Sequence, residues 1–371
     1  MEPDLKEWVW YANLKGIATR KKVELLRIFD SPVQIYNADN IALSKTGILS
    51  KENISAILSK EYRDSVDKTI EEIYMKHIQV IPLNSSLYPN MLKNISDPPI
   101  CLYVKGKLYA DELSIAVVGS RRASGYGVSL AKKISSELSK FNICIVSGMA
   151  RGIDSSAHMG ALSVNGRTIA VLGCGLDIVY PGENKKLMDQ IIENGAVISE
   201  YPPGVEPKPH HFPVRNRIVS GMSVGVLVVE AGVKSGSLIT AQLALEQGRD
   251  VYALPGNVIS INSQGTNKLI QDGAKLVLNA QDILDELNWF SLFDTKNVID
   301  LNSYRNNRET FNDLDRDEQE VVELLLIESL QIDEIYKKLS IEMPLLHSVL
   351  LSLEMKGIIK RDPGGIYRIE V

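Results

Sequence analysis

Seven short runs of Val, Ile, Leu and Ala recur between residues 114 and 278, and segments typical of helices lie between them. The runs are SIAVVGS, ICIVSG, TIAVLGCG, AVISEY, VGVLVVEAG, DVYALPG and AKLVL. A strand that is almost continuously apolar is buried on both faces, which occurs when helices cover both sides of a parallel sheet. The pattern therefore predicts an α/β fold, with a Rossmann-like doubly wound core over residues 78–290.

Residues 1–70 predict a small, entirely helical N-terminal domain. Two glycine turns, KGIATRKK and TGILSKEN, each precede a helix, and Ser50 is the predicted N-cap of the second helix. Paired turns of this kind resemble a SAM-like or helix-hairpin-helix domain, in which helix N-termini contact phosphate. A helical adaptor without a ligand is the alternative, and the sequence leaves both open.

The C-terminal part of the chain predicts a separate small domain. Residues 291–312 are polar and rich in asparagine, and we interpret them as a linker. Residues 313–371 predict three helices and then the hairpin KRDPGGIYRIE, which is the order of a winged-helix-like domain. From Arg308 to Val371 the chain has 8 basic and 14 acidic residues, a net charge of −6. Because an acidic surface attracts phosphate poorly, a protein-contact role is favoured here over DNA reading.

The charge and composition of the whole chain restrict where it can act. A net charge of −5 and an isoelectric point near 5.7 argue against bulk attraction to nucleic acid, so any such site must be a local basic patch. The start, MEPDLKEW, lacks the order of a signal peptide, and no run of about 20 apolar residues predicts a membrane span. Cys101, Cys144 and Cys174 form no CxxC pair, which is typical of buried thiols in a reducing compartment. We therefore expect a cytoplasmic protein without a membrane partner.

Glycine, serine and basic residues recur in the loops that follow the predicted strands. In an open parallel sheet, ligands bind outside the carboxyl ends of the strands, so these loops are the predicted site. Glycine lets backbone N–H groups approach an anion closely, and Arg or Lys supplies the compensating charge. The loop residues that we expect in an anion site are Gly119, Ser120, Arg121, Arg122, Gly148, Arg151, Lys234, Ser235, Gly236 and Ser237.

The stretch FPVRNRIVSG adds a further basic cluster just before the strand VGVLVVEAG. It contains Phe212, Arg215, Asn216 and Arg217. Two interpretations stay open for the arginines: they face an anionic ligand, or they pair with carboxylates such as Glu200 or Glu230 and stabilise the fold. We expect at least one of them to face the ligand.

Several nucleotide-binding and metal-binding motifs are missing from the sequence, and their absence argues against the corresponding ligands. The chain lacks the third glycine of a dinucleotide fingerprint, and it has no GxxxxGK[ST], HExxH or CxxC pattern. We therefore predict no cofactor, no metal and no catalytic residue. His158 lies in a helical segment and is more typical of a packed core residue than of a base.

The spread of the basic residues favours a chain of phosphates over a single nucleotide, because they lie on at least four loops. Rings also lie near these loops, and a basic groove with rings on which bases stack is typical of single-stranded nucleic acid binding. The rings are Tyr126, Tyr180, Tyr201, His210, His211 and Phe212.

A longer set of motifs resembles one family, the DNA-processing protein A family, also called Smf. The matching stretches include VVGSRRASGYG, IVSGMARGIDSSAH, TIAVLGCGLDIVYPGEN, FPVRNRIVSGMSVGVLVVEAGVKSGS and QGTNKLIQDGA, in order between Ile115 and Val277. The resemblance implies an extended Rossmann core that binds single-stranded DNA, forms a homodimer and loads the RecA recombinase. It also implies a role in natural transformation, help in displacing single-strand-binding protein, and no enzymatic activity.

Carried over by motif position, the resemblance implies that Gly119, Ser120 and Arg121 hold phosphate. It implies that a groove is lined by Gly148, Arg151, Arg215–Arg217 and Lys234–Ser237. The alternative is a phosphoribohydrolase of a related fold, whose PGGxGTxxE motif carries an essential glutamate. Thr240 stands where that glutamate would be, and a hydroxyl cannot replace a carboxylate as a general base.

Overall fold

A computed structural model describes residues 4–293 and 315–369, apart from residues 328–329, 340, 342, 357 and 363–364. The chain divides into two compact units, Met1–Asn288 and Trp289–Val371. The predicted boundary between an N-terminal domain and the core falls inside the first unit and stays a prediction. No helix in the described ranges is both long enough and apolar enough to cross a membrane.

The first unit begins with helices only, as predicted. These helices are α1 (Leu5–Asn13), α2 (Thr19–Phe29), α3 (Pro32–Asn37), α4 (Asn40–Lys45), α5 (Lys51–Leu58) and α6 (Lys60–Met75). Ser50 is the N-cap of α5, which confirms its predicted role, and its side chain accepts a hydrogen bond from the backbone of Asn53 at 3.2 Å. Asn53 Nδ2 donates to the Gly16 carbonyl at 2.9 Å, so the two glycine turns are held next to each other.

A nine-stranded sheet forms the centre of the first unit. Its strands are β1 (Gln79–Pro82), β2 (Cys101–Gly106), β3 (Ser114–Val118), β4 (Cys144–Ser147), β5 (Thr168–Leu172), β6 (Ala196–Ser199), β7 (Gly225–Val228), β8 (Asp250–Ala253) and β9 (Lys275–Leu276). The strand order is β1-β2-β6-β5-β4-β3-β7-β8-β9. The strands from β6 to β9 in this order are parallel, and β1 and β2 extend one edge in antiparallel pairing.

Helices cover both faces of this sheet. They are α7 (Asn90–Lys93), α8 (Gly125–Lys140), α9 (Ile153–Leu162), α10 (Lys185–Asn194), α11 (His211–Gly221), α12 (Gly236–Glu246), α13 (Gln264–Gln271) and α14 (Ala280–Phe293). Alternate residues of β3 belong to different core clusters: Ile115 and Val117 lie with residues of α8 and α9, and Ala116 and Val118 with residues of α11 and α12. This two-sided burial confirms the predicted doubly wound core.

The second unit has the predicted order of a winged helix. Its elements are α15 (Arg316–Ile327), β10 (Leu330–Gln331), α16 (Ile332–Lys338), α17 (Met343–Met355), β11 (Ile359–Asp362) and β12 (Ile366–Ile369). The three strands form one sheet in the order β10-β12-β11. The predicted linker begins too early, because α14 continues to Phe293; residues 294–312 lie outside the described residues.

Candidate nucleic-acid interface

A large pocket lies where the winding of the sheet reverses. Strand β3 pairs with β4 on one side and with β7 on the other, and these pairings are parallel. Successive crossovers leave this point in opposite directions, which opens a crevice outside the carboxyl ends of β3 and β7. A cavity of about 920 Å³ occupies that position, lined by the loops that follow β3, β4 and β7 and by α11. The sheet topology thus brings loops that are distant in sequence to one ligand-sized site.

The loop after β3 contributes Gly119, Ser120, Arg121 and Arg122 to this pocket, as the sequence predicts. Gly119 is needed for packing, because a Cβ there would lie 2.6 Å from Ile153 Cγ1. The Ser120 backbone N–H donates to a backbone carbonyl of the neighbouring β7 loop at 2.7 Å. Arg121 and Arg122 are exposed beyond this anchored turn, so their guanidinium groups can reach a ligand.

The loop after β7 supplies the N-terminus of α12. Ser235 is its N-cap, and the Ser235 and Ser237 hydroxyls lie 2.7 Å apart. Apart from its chain neighbours and its own helix, no atom of the described residues lies within 4 Å of the place where a Gly236 Cβ would stand, so this turn is open to the pocket. Lys234 is exposed next to it. The positive end of the α12 dipole favours an anion at this position.

Three basic side chains at the pocket, Arg121, Arg122 and Lys234, form no ion pair with a carboxylate in the part of the chain that the structure describes. Arg121 interacts electrostatically with the buried Asp154 carboxylate without forming an ion pair. The Arg121 guanidinium lies 5.3 Å from the Phe212 ring centroid, a cation–π distance. The pocket therefore has a local excess of positive charge on a chain whose net charge is −5.

The stretch FPVRNRIVSG lies in helix α11, and one face of that helix lines the pocket. Phe212, Arg215, Asn216 and Val219 line the pocket, and they follow the i, i+3, i+4, i+7 spacing of one helix face. We did not predict this helix from the sequence, although the spacing of its pocket-facing residues was available as a signal. Because residues advance by about 100° along a helix, Arg217 lies about 200° from Arg215.

Arg217 is on the opposite side of α11 and does not line the pocket. It is only 4% exposed, and it pairs with Glu200 at 2.7 Å and with Asp97 at 3.0 Å. Burial alone would lower the pKa of Arg217, but the two carboxylates outweigh that effect and raise it. The expectation that Arg217 lines a groove is therefore corrected: the carboxylate-pairing interpretation applies to this residue, and we omit it from the candidate site.

Arg215 lies at the floor of the pocket and is itself almost fully buried. Its Nη1 donates to the carbonyl of Gly148 at 2.8 Å and also to the carbonyl of Val171. A Cβ on Gly148 would stand 2.4 Å from that nitrogen, so only glycine leaves room for the guanidinium. Burial lowers the pKa of Arg215, and the nearby Asp154 carboxylate offsets part of this effect. Gly148 and Arg215 thus form a rigid positive floor.

Asp154 is a pocket residue that we did not predict as part of the site. It lies in the first turn of α9, and its pKa is raised by burial despite the opposing effect of Arg215. His158, on the same helix, is fully buried with Nδ1 2.6 Å from the Thr168 hydroxyl, and burial lowers its pKa to about 3. His158 is therefore a packed core residue, as we interpreted it.

Two of the predicted rings line the pocket. Tyr180 and Phe212 have centroids 5.4 Å apart and form one wall. Tyr201 instead stacks on His211 at 4.3 Å, and His210 meets the same imidazole edge-on. Tyr126 is exposed outside the pocket lining. Within the described ranges, no group of three or more His, Cys, Asp or Glu residues has a metal-binding arrangement.

Arg151 is exposed but does not line the pocket. It makes a two-pronged ion pair with Glu183, in which the Nη2–Oε2 distance is 2.8 Å. The hydrogen bond to Glu183 raises the pKa of Arg151 and lowers that of Glu183. Since Ala150 lines the pocket, Arg151 stands next to the site with its charge already compensated.

Glu183→Gln is therefore expected to increase the affinity for an anionic strand by about two- to threefold, the scale of one exposed ion pair. The measurement is a dissociation constant for a dT oligomer at fixed salt. Glu137→Gln is the control, because it changes the net charge equally and removes the exposed partner of Lys133 on α8. An equal gain in both variants would show a bulk charge effect and would exclude Arg151 from the interface.

Comparisons with known proteins identify the family of the chain. The model of the family "DNA recombination-mediator protein A" matches residues 79–288, and a "DprA winged helix domain" matches residues 309–365. Protein Smf of Escherichia coli (strain K12) is 36% identical over 363 residues, covering 97% of this chain and 95% of that protein. The DNA processing protein DprA of Streptococcus pneumoniae is 48% identical over 215 residues, covering 57% of this chain and 76% of its own.

Two solved structures are also similar to the structure of this chain. The X-ray structure of DNA processing protein A from Streptococcus pneumoniae has a TM-score of 0.66 and 36% identity, covering 76% of this chain and 97% of that chain. DNA processing protein A from Helicobacter pylori, whose structure concerns its single-stranded DNA binding mode, has a TM-score of 0.51 and 33% identity over 57% of this chain and 96% of its own. With a family match over more than half of its length and a relative aligned along nearly all of it, this chain belongs to the DNA recombination-mediator protein A (DprA/Smf) family.

Proposed function

We propose that this chain is a recombination mediator that binds single-stranded DNA in the pocket at the carboxyl ends of β3 and β7. The phosphates contact the Gly119–Arg122 loop and the Lys234–Ser237 turn, above the floor formed by Gly148 and Arg215. One or more bases pack on the wall of Tyr180 and Phe212. Asn216 lies between these parts on the pocket face of α11.

The basic cluster without ion-pair partners among the described carboxylates is the observation that supports this proposal most strongly. Arg121, Arg122 and Lys234 come from two loops separated by more than 100 residues, and the sheet brings them to one cavity. Arg151 and Arg217 form ion pairs with Glu183 and Glu200. The three residues of the basic cluster form no ion pair with a described carboxylate and are therefore available to a ligand. Positive charge next to two rings is the combination that holds a single strand by its backbone and its bases.

The finer parts of the proposal follow from the family. We propose that the chain acts as a homodimer in the cytoplasm, loads the RecA recombinase and helps to displace single-strand-binding protein. In a naturally transformable host, the strand would be incoming DNA. The acidic charge of residues 308–371 supports a protein-contact role for the winged helix.

The phosphoribohydrolase is not favoured by the comparisons or by the lining of the pocket. Thr240 lines the pocket at the position where that enzyme class needs a glutamate. The buried Asp154 carboxylate is held close to Arg215 and accepts a hydrogen bond from the Ala150 N–H at 3.4 Å, which assigns it to the floor of the site.

Fluorescence anisotropy with a labelled dT 30-mer, repeated at several salt concentrations, tests the proposal. We expect binding that is tighter than to a duplex of the same length, and a plot of log affinity against log salt with a slope of about −0.7 for each phosphate neutralised. A salt-independent affinity, or none, would contradict the proposal. Release of free base from AMP or CMP by the purified chain would instead support the hydrolase.

A further inference from the structure

One side of the pocket mouth is aliphatic and exposed. Val233 in the loop after β7, Ile239 in α12 and Ile261 in the loop before α13 line the pocket. Val233 is 66% exposed and Ile261 is 74% exposed. We call these three side chains the aliphatic lip. It is distinct from the Tyr180–Phe212 wall and was not part of the predicted site.

The lip is held in place by the same loops that carry the basic residues. The Ala231 N–H donates to the Asn262 carbonyl at 2.7 Å, and the Asn262 side-chain amide donates to the Arg122 carbonyl at 3.0 Å. Ile261 Cγ2 lies 3.9 Å from the place where a Gly232 Cβ would stand. Hydrogen bonds of Asn262 thus connect the segment that carries Ile261 to the loops after β3 and β7. The fold of these loops therefore holds the lip side chains at the surface of the pocket.

A ligand that fills this mouth has to offer negative charge and apolar surface side by side. Arg122 and Lys234 are exposed at the same pocket that Val233 and Ile261 line. A nucleic-acid strand has this combination, because its phosphates are anionic and its bases have apolar faces. In a duplex those faces are stacked and paired, and only the phosphates are available.

We propose that the aliphatic lip receives unpaired bases of the bound strand and thereby makes the pocket select single strands over duplex. This inference rests on the proposed function, since it assumes a strand whose phosphates contact Arg121, Arg122 and Lys234. An acidic and apolar protein segment could satisfy the same surface. The strand is favoured because the Tyr180–Phe212 wall of the same cavity offers a second surface for bases.

The test compares Val233→Ser/Ile261→Ser with the wild type on three ligands at fixed salt: a dT 30-mer, an abasic strand of equal length and charge, and a 30-base-pair duplex. Both side chains are exposed in loops, so the variant is expected to fold. Ile41→Ser is the matched control, because Ile41 is 64% exposed on α4, far from the pocket in sequence.

The lip variant is expected to bind the dT 30-mer about tenfold more weakly, because its two serine side chains no longer bury apolar surface against the bases. Its affinities for the abasic strand and the duplex, and its salt slope, are expected to match the wild type. Unchanged dT binding would overturn the inference, as would an equal loss on the abasic strand. Unchanged DNA binding together with lost stimulation of RecA would assign the lip to a protein partner. Failure of the wild type to bind dT would instead contradict the proposed function itself.

Discussion

The double variant Arg121→Ala/Lys234→Ala is expected to bind single-stranded DNA about 100-fold more weakly than the wild type while keeping its stability. Each side chain would lose a charged hydrogen bond, worth about 1.5–3 kcal/mol, and about 1.4 kcal/mol corresponds to a factor of ten. Both residues are exposed and form no ion pair with a described carboxylate. The buried Asp154, which interacts with Arg121, keeps its stronger interaction with Arg215, so we expect the fold to be stable without these side chains.

The salt dependence distinguishes this loss from a general change in charge. Two phosphate contacts fewer make the slope of log affinity against log salt less negative by about 1.4. Arg27→Ala/Lys68→Ala is the control, since it removes one arginine and one lysine that are exposed on α2 and α6. If the control loses as much affinity as Arg121→Ala/Lys234→Ala, the pocket is not the binding site.

Arg217→Ala is expected to have the opposite outcome, a large loss of stability. The Arg217 side chain is 5% exposed and that of Glu200 14%, so removal of Arg217 leaves a largely buried carboxylate without its ion-pair partner. Breaking such a pair costs about 3–5 kcal/mol of the free energy of unfolding. Native-state hydrogen exchange of the β6 and α11 amides measures this change within the first unit.

Two further variants sharpen that result. Arg217→Met/Glu200→Leu is expected to recover part of the lost stability, because the Glu200 carboxylate is no longer left without Arg217. The recovery is incomplete, because the buried Lys22 loses its electrostatic interaction with Glu200. Arg151→Ala is expected to change hydrogen exchange little, because the Arg151–Glu183 pair is exposed to water. A stable Arg217→Ala variant with normal hydrogen exchange but weakened DNA binding would show that Arg217 belongs to the DNA interface after all.

The sequence predicts the core fold and the position of the site for one physical reason. Apolar runs such as those of β3 and β7 are buried on both faces, and this requires a parallel sheet. Parallel strands place their carboxyl ends at one edge, so local patterns are sufficient to predict Gly119–Arg122 and Lys234–Ser237 at that edge. Their position in one pocket depends in addition on the pairing of β3 with β7, which local patterns do not predict.

The features of the site that we did not predict from the sequence depend on tertiary contacts. The roles of Arg215 and Arg217 depend on their angular positions around α11 and on carboxylates elsewhere in the chain. Arg151 is compensated by Glu183, which is 32 residues away and has no local signature. The aliphatic lip arises where three separate segments meet, and each exposed side chain is unremarkable by itself in the sequence.

A crystal structure of the chain with a short oligomer of 5-bromodeoxyuridine is the most direct test of the central claim. The anomalous signal of bromine locates the bases without reference to the protein. We predict phosphates at hydrogen-bond distance from Arg121 and Lys234, with bases against Phe212 and the aliphatic lip. A strand bound on the winged helix or on α1–α6, with no nucleotide in the pocket, would contradict the account.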